Sequence, residues 1–259
     1  MANMDEIRKL YDQQQRISID YARVNREVTA RTVRLVDKIN ERGTVIYSNL
    51  DESNADETIR TEIAYFKKLQ IADDFEWKYF DYDQPADLKD RLIKHGFVAQ
   101  DPDAVLILDL QAVPPVLLEA IPQDVRRITD PALLSDIIAV HKGVWDEDQS
   151  WLINSLGRTL REKPQELSVY IAYVDGNPAS AGWIDYHEGN PFAGLWGGST
   201  LPEYRQRGLY TALVKARVQE AIERGIRYLT IDASPMSRAV LEKFGFALMA
   251  YAYECNYGG

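Results

Sequence analysis

Cysteine is nearly missing: Cys255 is alone among 259 residues, so no internal disulfide forms and no metal cluster can rest on cysteine alone. Long apolar runs are missing too. No stretch of 18 apolar residues occurs, and the opening "MANMDEIRKLYDQQQ" has no apolar centre of the kind a secretory signal needs, which predicts a chain with no membrane partner and a cytoplasmic setting. Positive charge is in deficit, with 30 Lys and Arg against 40 Asp and Glu and a net charge of -10. That balance argues against a nucleic-acid partner, because phosphate backbones are held by clustered cations, and it suits a cationic substrate somewhat better. Neither a Gly-Lys-Ser/Thr phosphate loop nor G-x-G-x-x-G occurs, which weakens nucleoside triphosphate and dinucleotide readings. His95 and His141 have no metal-ligand spacing, and no metal site is expected.

What is present is a globular balance, 46% hydrophobic and 27% charged, in a chain long enough for two domains. Residues 5 to 42 lack Gly and Pro and place Ile7, Leu10, Ile17, Tyr21, Val24, Val28 and Leu35 at steps of three and four, predicting one long helix or two in tandem. A helix that long would brace the whole body or a second subunit, so a homodimer through it is an expectation. "TVIYSNL", "FEWKYFDY" and "AVLILDL" read as strands. Between them lie a helix with Ser53 and Asp56 at capping-box spacing and a helix with Pro85 in its first turn and Gly96 at its end. Three prolines in "QAVPPVLLEAIPQDV" mark a linker, giving domains 1–122 and 123–259.

Beyond the linker, Asp130 and Pro131 open a helix and a second helical stretch covers about 148–162. Two strands meet at Asp175-Gly176, and "FAGLWGGSTL" is the next strand. Then come the basic turn, a helix, the strand "YLTIDAS", the helix "MSRAVLEKFGF" and a last strand "LMAYAYEC". The halves look like copies: helix, strand with an aspartate, helix, closing Gly-Phe. Gly96-Phe97 and Gly245-Phe246 fall 15 and 13 residues after Asp81 and Asp232.

The turn "EYRQRGLYT" sits between a strand and a helix. There Arg205 to Thr211 offer N–H groups that a first helical turn cannot satisfy internally, Gly208 admits close approach, and Arg205 and Arg207 add charge. Such a turn suits a phosphate or pyrophosphate. Where the first copy would place phosphates, "NLDESNADETIR" offers Asp51, Glu52, Asp56 and Glu57, so the N-terminal half is expected to bind none.

"LPEYRQRGLYTALV", followed by "YLTIDAS" and "SRAVLEKFGF", resembles the GCN5-related N-acetyltransferase (GNAT) superfamily over about residues 126–255. The resemblance implies an α/β fold, a mixed central sheet flanked by helices in two tandem copies with the N-terminal one degenerate. It further implies acetyl-CoA as cofactor, held by the backbone of Ser199, Thr200 and Leu201 along its acetyl and pantetheine part. Arg205, Gln206, Arg207, Gly208, Leu209, Tyr210 and Thr211 would take the pyrophosphate, with Ser234 also at the cofactor. Tyr210 departs from the usual Gly or Ala, and Ser234 from a frequent asparagine. Leu241 stands where many members carry the tyrosine that protonates the departing thiolate, so water, Ser237, Ser234 or Tyr210 must serve.

The base is sought among Asp185, His187, Glu188 and Asp232, with Asp185, His187 and Ser237 taken as the catalytic set and the Thr200 backbone as donor to the developing oxyanion. Trp183 and Trp196 are either acceptor-pocket walls or core. The implied activity is an acetyl-CoA-dependent N-acetyltransferase acting by direct attack of a primary amine, on a small molecule or a chain terminus. The alternative is a catalytically inactive CoA-binding regulatory or scaffolding protein.

Overall fold

Helix α1 (Met4–Tyr11) is capped by Asn3, whose side-chain oxygen accepts the Asp5 N–H at 3.2 Å, and it runs on into a π-helical turn over Asp12–Ile17. The computed structural model describes residues 3–21, 24–39, 41–71, 74–145 and 151–258. The long helix expected over 5–42 does not form. After the π turn come strands β1 (Asn25–Val28), β2 (Thr32–Asp37) and β3 (Arg42–Ser48). Val28, Thr32, Val33 and Val36 are β-branched and favour a pleated strand. Between β1 and β2, Thr29 Oγ1 accepts the N–H groups of Arg31 (3.1 Å) and Thr32 (2.8 Å), folding the chain back where a helix would have continued. With the long helix gone, the feature that pointed to a homodimer is gone as well.

Helix α2 (Ala55–Lys68) starts at Asn54 rather than in a Ser53 capping box. Asp51 accepts the N–H groups of Ser53 (2.8 Å) and Asn54 (3.1 Å), and the Ser53 hydroxyl donates to Asp51. Strand β4 (Phe75–Phe80), helix α3 (Leu88–Lys94), and strands β5 (Phe97–Ala99) and β6 (Asp103–Asp109) follow, with Gly96 closing α3 at φ 95°.

The chain divides into two units, 1–105 with 248–259, and 106–247. This differs from a boundary at 122/123 in two ways. The break falls inside β6, and the last strand, β12 (Ala247–Tyr257), returns to the first unit. There the strand order is β1-β2-β3-β4-β12, with β5 also on β12. Its core gathers Val45, Ile59, Phe66, Phe75, Trp77, Leu92 and Cys255.

The second unit adds β7 (Asp124–Ile128), α4 (Leu134–Trp145), α5 (Trp151–Glu162), β8 (Leu167–Val174), β9 (Asn177–Tyr186), β10 (Phe192–Thr200), α6 (Leu209–Glu223), β11 (Tyr228–Ala233) and α7 (Pro235–Leu241). Ahead of α4, Asp130 Oδ1 accepts the Ala132 N–H at 2.9 Å and Pro131 opens a 3-10 turn. Residues 148–150 of the expected second helical stretch lie outside the described residues. Its strands run β6-β11-β10-β9-β8-β7. Alternation along β8 sets the two faces. Val169, Ile171 and Tyr173 pack with Ile137 and Val140 of α4 and Leu152 and Leu156 of α5. Ser168 and Tyr170 point the other way and donate to Glu220 of α6 at 2.8 and 2.7 Å. Helices therefore cover both faces. No helix among the described residues is long and apolar enough to cross a membrane.

Candidate active site

The site begins with a pairing that stops early. Asp175 and Gly176, both at positive φ (51° and 79°), make the tight turn from β8 into β9, and β9 holds β10 antiparallel. On its other side β10 pairs with β11 in parallel at three positions, Phe192↔Tyr228, Ala193↔Leu229 and Gly194↔Thr230. Beyond these β10 runs to Thr200 and β11 to Ala233 without further pairs, so the two strands form a fork with its vertex at Gly194.

The register between β9 and β10 also shifts between Trp196 and Ser199, around Gly197 at φ 60°. A side chain on Gly197 would run into the Trp183 ring. The Gly197-Gly198 pair in a strand pattern was the sequence signal for this bulge. Past it, Leu201 N–H bonds to Ala179 of β9 at 3.0 Å, and alternation then turns the Thr200 N–H to the fork side.

The mouth of the fork meets the start of α6. Gly208 is left-handed (φ 75°, ψ 8°), and no side chain caps the helix. The first intrahelical bond is Ala212 N–H to Gly208 C=O at 2.9 Å, so the N–H groups of Leu209, Tyr210 and Thr211 have no acceptor within the helix. A Cβ on Gly208 would meet only Gln123 Nε2 at 3.3 Å, so the turn is open above the glycine.

A cavity of about 650 Å³ fills this place. Ser199 and Thr200 of β10, Arg205, Gln206 and Gly208 of the turn, Leu209, Tyr210 and Thr211 of α6, and Ser234 and Ser237 at α7 all line it. Trp145, Gly198, Tyr204, Met236 and Val240 line it too and were not singled out in the sequence. Trp145 reaches it because its indole N–H donates to Ser199 Oγ at 3.2 Å, a contact between residues 54 apart that no local pattern signals.

Several expected residues lie elsewhere. Leu201 commits its N–H to Ala179, its C=O accepts the Tyr204 N–H, and it does not line the cavity. Arg207 lies over the Tyr204 ring at 5.3 Å, outside the lining. Asp185 pairs with Gly194, in the row of the fork vertex, and His187 lies two residues further to the closed side; neither touches the cavity. Leu241 is fully buried and does not line it. Asp232 and Glu188 do not line it either. Trp183 stacks on His141 at 5.8 Å, and Trp196, paired with it across the strands, is half exposed.

Burial raises the Asp185 carboxyl to about 7, with the Glu166 charge adding to it, and burial lowers the His187 imidazole. Ser237 and Ser234 are engaged with each other: Ser237 Oγ donates to the Ser234 carbonyl at 3.1 Å, and the two hydroxyls lie 3.2 Å apart.

Comparison with known proteins agrees with this geometry. Residues 131–246 match the acetyltransferase (GNAT) family. No curated protein matches the sequence. Among solved structures, a GCN5-related N-acetyltransferase from Kribbella flavida superposes with a TM-score of 0.70 at 16% identity, covering 97% of this chain and 95% of its own. A functionally unknown conserved protein from Staphylococcus epidermidis ATCC 12228 gives 0.66 at 12% identity, over 92% of this chain and 97% of its own. A tandem GNAT protein from the clavulanic acid biosynthesis pathway gives 0.61 at 15% identity, over 94% and 86%. The fold is thus a mixed α/β sheet flanked by helices, like that of these solved structures, and residues 131–246 match the acetyltransferase (GNAT) family.

Proposed function

We propose that the protein is an acetyl-CoA-dependent N-acetyltransferase that passes the acetyl group directly to a primary amine of a small molecule or chain terminus. The observation that carries the reading is the fork. Two parallel strands part after three pairs, and the gap is closed at its mouth by a helix start with three free N–H groups.

The residues present suit acetyl-CoA. The N–H groups of Leu209, Tyr210 and Thr211 and the Arg205 side chain favour a pyrophosphate, and the open face of Gly208 lets it come close. The fork edge of β10 offers backbone groups to an extended amide-bearing arm, as an added strand would use them. When bound, acetyl-CoA supplies an acetyl group already activated as a thioester. We assign the Thr200 N–H to hold the carbonyl oxygen. Asp185 is the base we assign to the amine proton, because a carboxyl at about 7 is half ionised where cells operate; it stands in the row of the vertex outside the cavity lining, so the assignment routes the proton to it through water.

One observation favours a second reading, CoA binding without turnover: Leu241 is buried away from the cavity and brings no proton donor to it. Saturating acetyl-CoA should raise the thermal midpoint in both cases, since a ligand of the native state stabilises by mass action. Thiol release across a panel of primary amines separates them, and no midpoint shift would sink both.

A further inference from the structure

Two buried side-chain atoms on one face of α6 have no hydrogen-bond partner, Tyr210 Oη and Arg217 Nη2, and they stand seven residues, about two turns, apart. The Tyr210 ring passes the backbone of Gly198, where β10 has left β11; a Cβ on Gly198 would meet Tyr210 Cε2 at 2.8 Å. The phenol ends beside Ser237 of α7, whose hydroxyl donates to the Ser234 carbonyl at 3.1 Å. Tyr210 therefore bridges the fork from one helix toward the other and lines the cavity at that point.

Arg217 is fully buried beneath the bulge. Its Nε donates to Leu213 O at 3.0 Å, and its Nη1 to Trp183 O at 3.2 Å and Trp196 O at 3.4 Å, the carbonyls of the paired β9 and β10 residues where the register begins to shift. Among the described residues no carboxylate pairs with it. The titratable groups that face it are the phenols of Tyr210, Tyr170 of β8 and Tyr186 of β9. A guanidinium without a counter-ion is among the costliest groups to bury, and here its charge faces a phenol that can become an anion.

We propose that Tyr210 is the proton donor to the departing CoA sulfur and that Arg217 is the positioning residue whose charge makes the resulting phenolate tolerable. The inference rests on the acetyl-transfer reading. As the carbon–sulfur bond breaks, its electron pair goes to sulfur, the Oη–H bond breaks and an S–H bond forms. The phenolate left beside Arg217 regains a proton from water, and the proton that the attacking amine gave to Asp185 is released to water. Burial holds the phenol above its ordinary value, so it is fully protonated near pH 7, while Arg217 opposes that rise. A phenol is a far stronger acid than the Ser237 hydroxyl, and Leu241 has no proton to give.

The test uses the full chain. With an accepted amine, Tyr210→Phe should lower kcat about 10-fold to 100-fold while KM for acetyl-CoA stays within about 2-fold, because the backbone N–H of residue 210 is kept. A readout without turnover accompanies it. The ultraviolet alkaline titration of the wild type minus that of Tyr210→Phe isolates this phenol, and Arg217→Met should move its midpoint upward. Should Arg217→Met not fold, Arg217→Lys, which keeps the charge, should leave the midpoint nearer to wild type than any neutral replacement that folds. An unchanged kcat in Tyr210→Phe, a loss carried by Ser237→Ala instead, or a Tyr210 midpoint indifferent to Arg217 overturns the proposal. Absence of acetyl-CoA binding sinks the transferase reading separately, and the titration still decides the Tyr210–Arg217 coupling.

Discussion

Each unit of this chain contains a fork, and only one is open. In the first, β3 and β4 pair in parallel at Gly43↔Phe75, Thr44↔Glu76 and Val45↔Trp77 and then stop, the same three pairs found between β10 and β11. There the residues beyond the last pair are occupied by side chains. Arg16 Nε donates to Ile46 O at 2.9 Å, Asp83 accepts the Phe80 N–H at 3.0 Å, and the two side chains join at 2.8 and 2.7 Å in a buried bidentate pair. Arg16 also lies over the Phe80 ring at 4.2 Å, and Asp12 accepts from both Arg16 and Tyr82. Ahead of the helix of this copy, the acidic Asp51 side chain takes the N–H groups of Ser53 and Asn54, and the Asp51 carbonyl accepts the Ala55 N–H at 3.1 Å. In the second unit the same backbone geometry is left with free N–H groups, and its buried arginine has no carboxylate. A ligand site differs from a structural joint by which polar groups the chain leaves unsatisfied.

The largest test of that contrast concerns the two arginines. Asp83→Asn should cost about 3–5 kcal/mol in chemical denaturation, because it strands the Arg16 charge in the core. Arg217→Met, which breaks no ion pair, should stay within about 1 kcal/mol of wild type. If the losses were equal, the two forks would be the same kind of structure.

Next, Gly208→Val should weaken acetyl-CoA about 100-fold or more by calorimetry. The fold itself should lose only the cost of a β-branched residue at φ 75°, about 1–3 kcal/mol. Equal affinity would make the turn a mere cap.

A smaller effect belongs to Asp185. Its carboxyl titrates higher folded (about 7) than unfolded (about 3.9), so ionisation opposes folding, and stability falls as pH rises from 4 through 7. Asp185→Asn removes this dependence. It should be more stable than wild type by about 2–4 kcal/mol at pH 8 and equal to it below pH 4, while raising KM and lowering kcat for the amine; a flat difference between the pH curves would refute the assignment. The smallest expected signal is from the closed fork: calorimetry should count one acetyl-CoA per chain, and none in Gly208→Val at concentrations that saturate wild type.

Much of the second unit was legible because its signals are local. Asp130-Pro131, Asp175-Gly176, Gly208 and Gly245 each prescribe a backbone conformation within two or three residues, and all four adopt it. The stretch 24–37 misled because apolar residues at steps of three and four fit a helix as well as a strand interrupted by a turn. Its β-branched content and the Thr29 turn decide for the strand. Trp145, Met236 and Val240 were missed at the cavity because they come from α4 and α7, which meet β10 only through tertiary packing.

By itself, the sequence determined the order of the helices and longer strands after residue 42, though not the short strands β5 and β7, and it determined the open glycine turn, the acidic start of α2 and the absence of a tyrosine at 241. These are properties of short segments, set by dihedral preference and by charge near a helix end. Only the tertiary structure decided that β12 joins the first unit, that Arg16 and Asp83 close one fork, and that Tyr210 reaches through the other above an unpaired Arg217. Those outcomes depend on pairings across tens to hundreds of residues. There, the burial of a charge and the satisfaction of a backbone N–H are settled by whichever side chain the fold brings near, not by sequence neighbours.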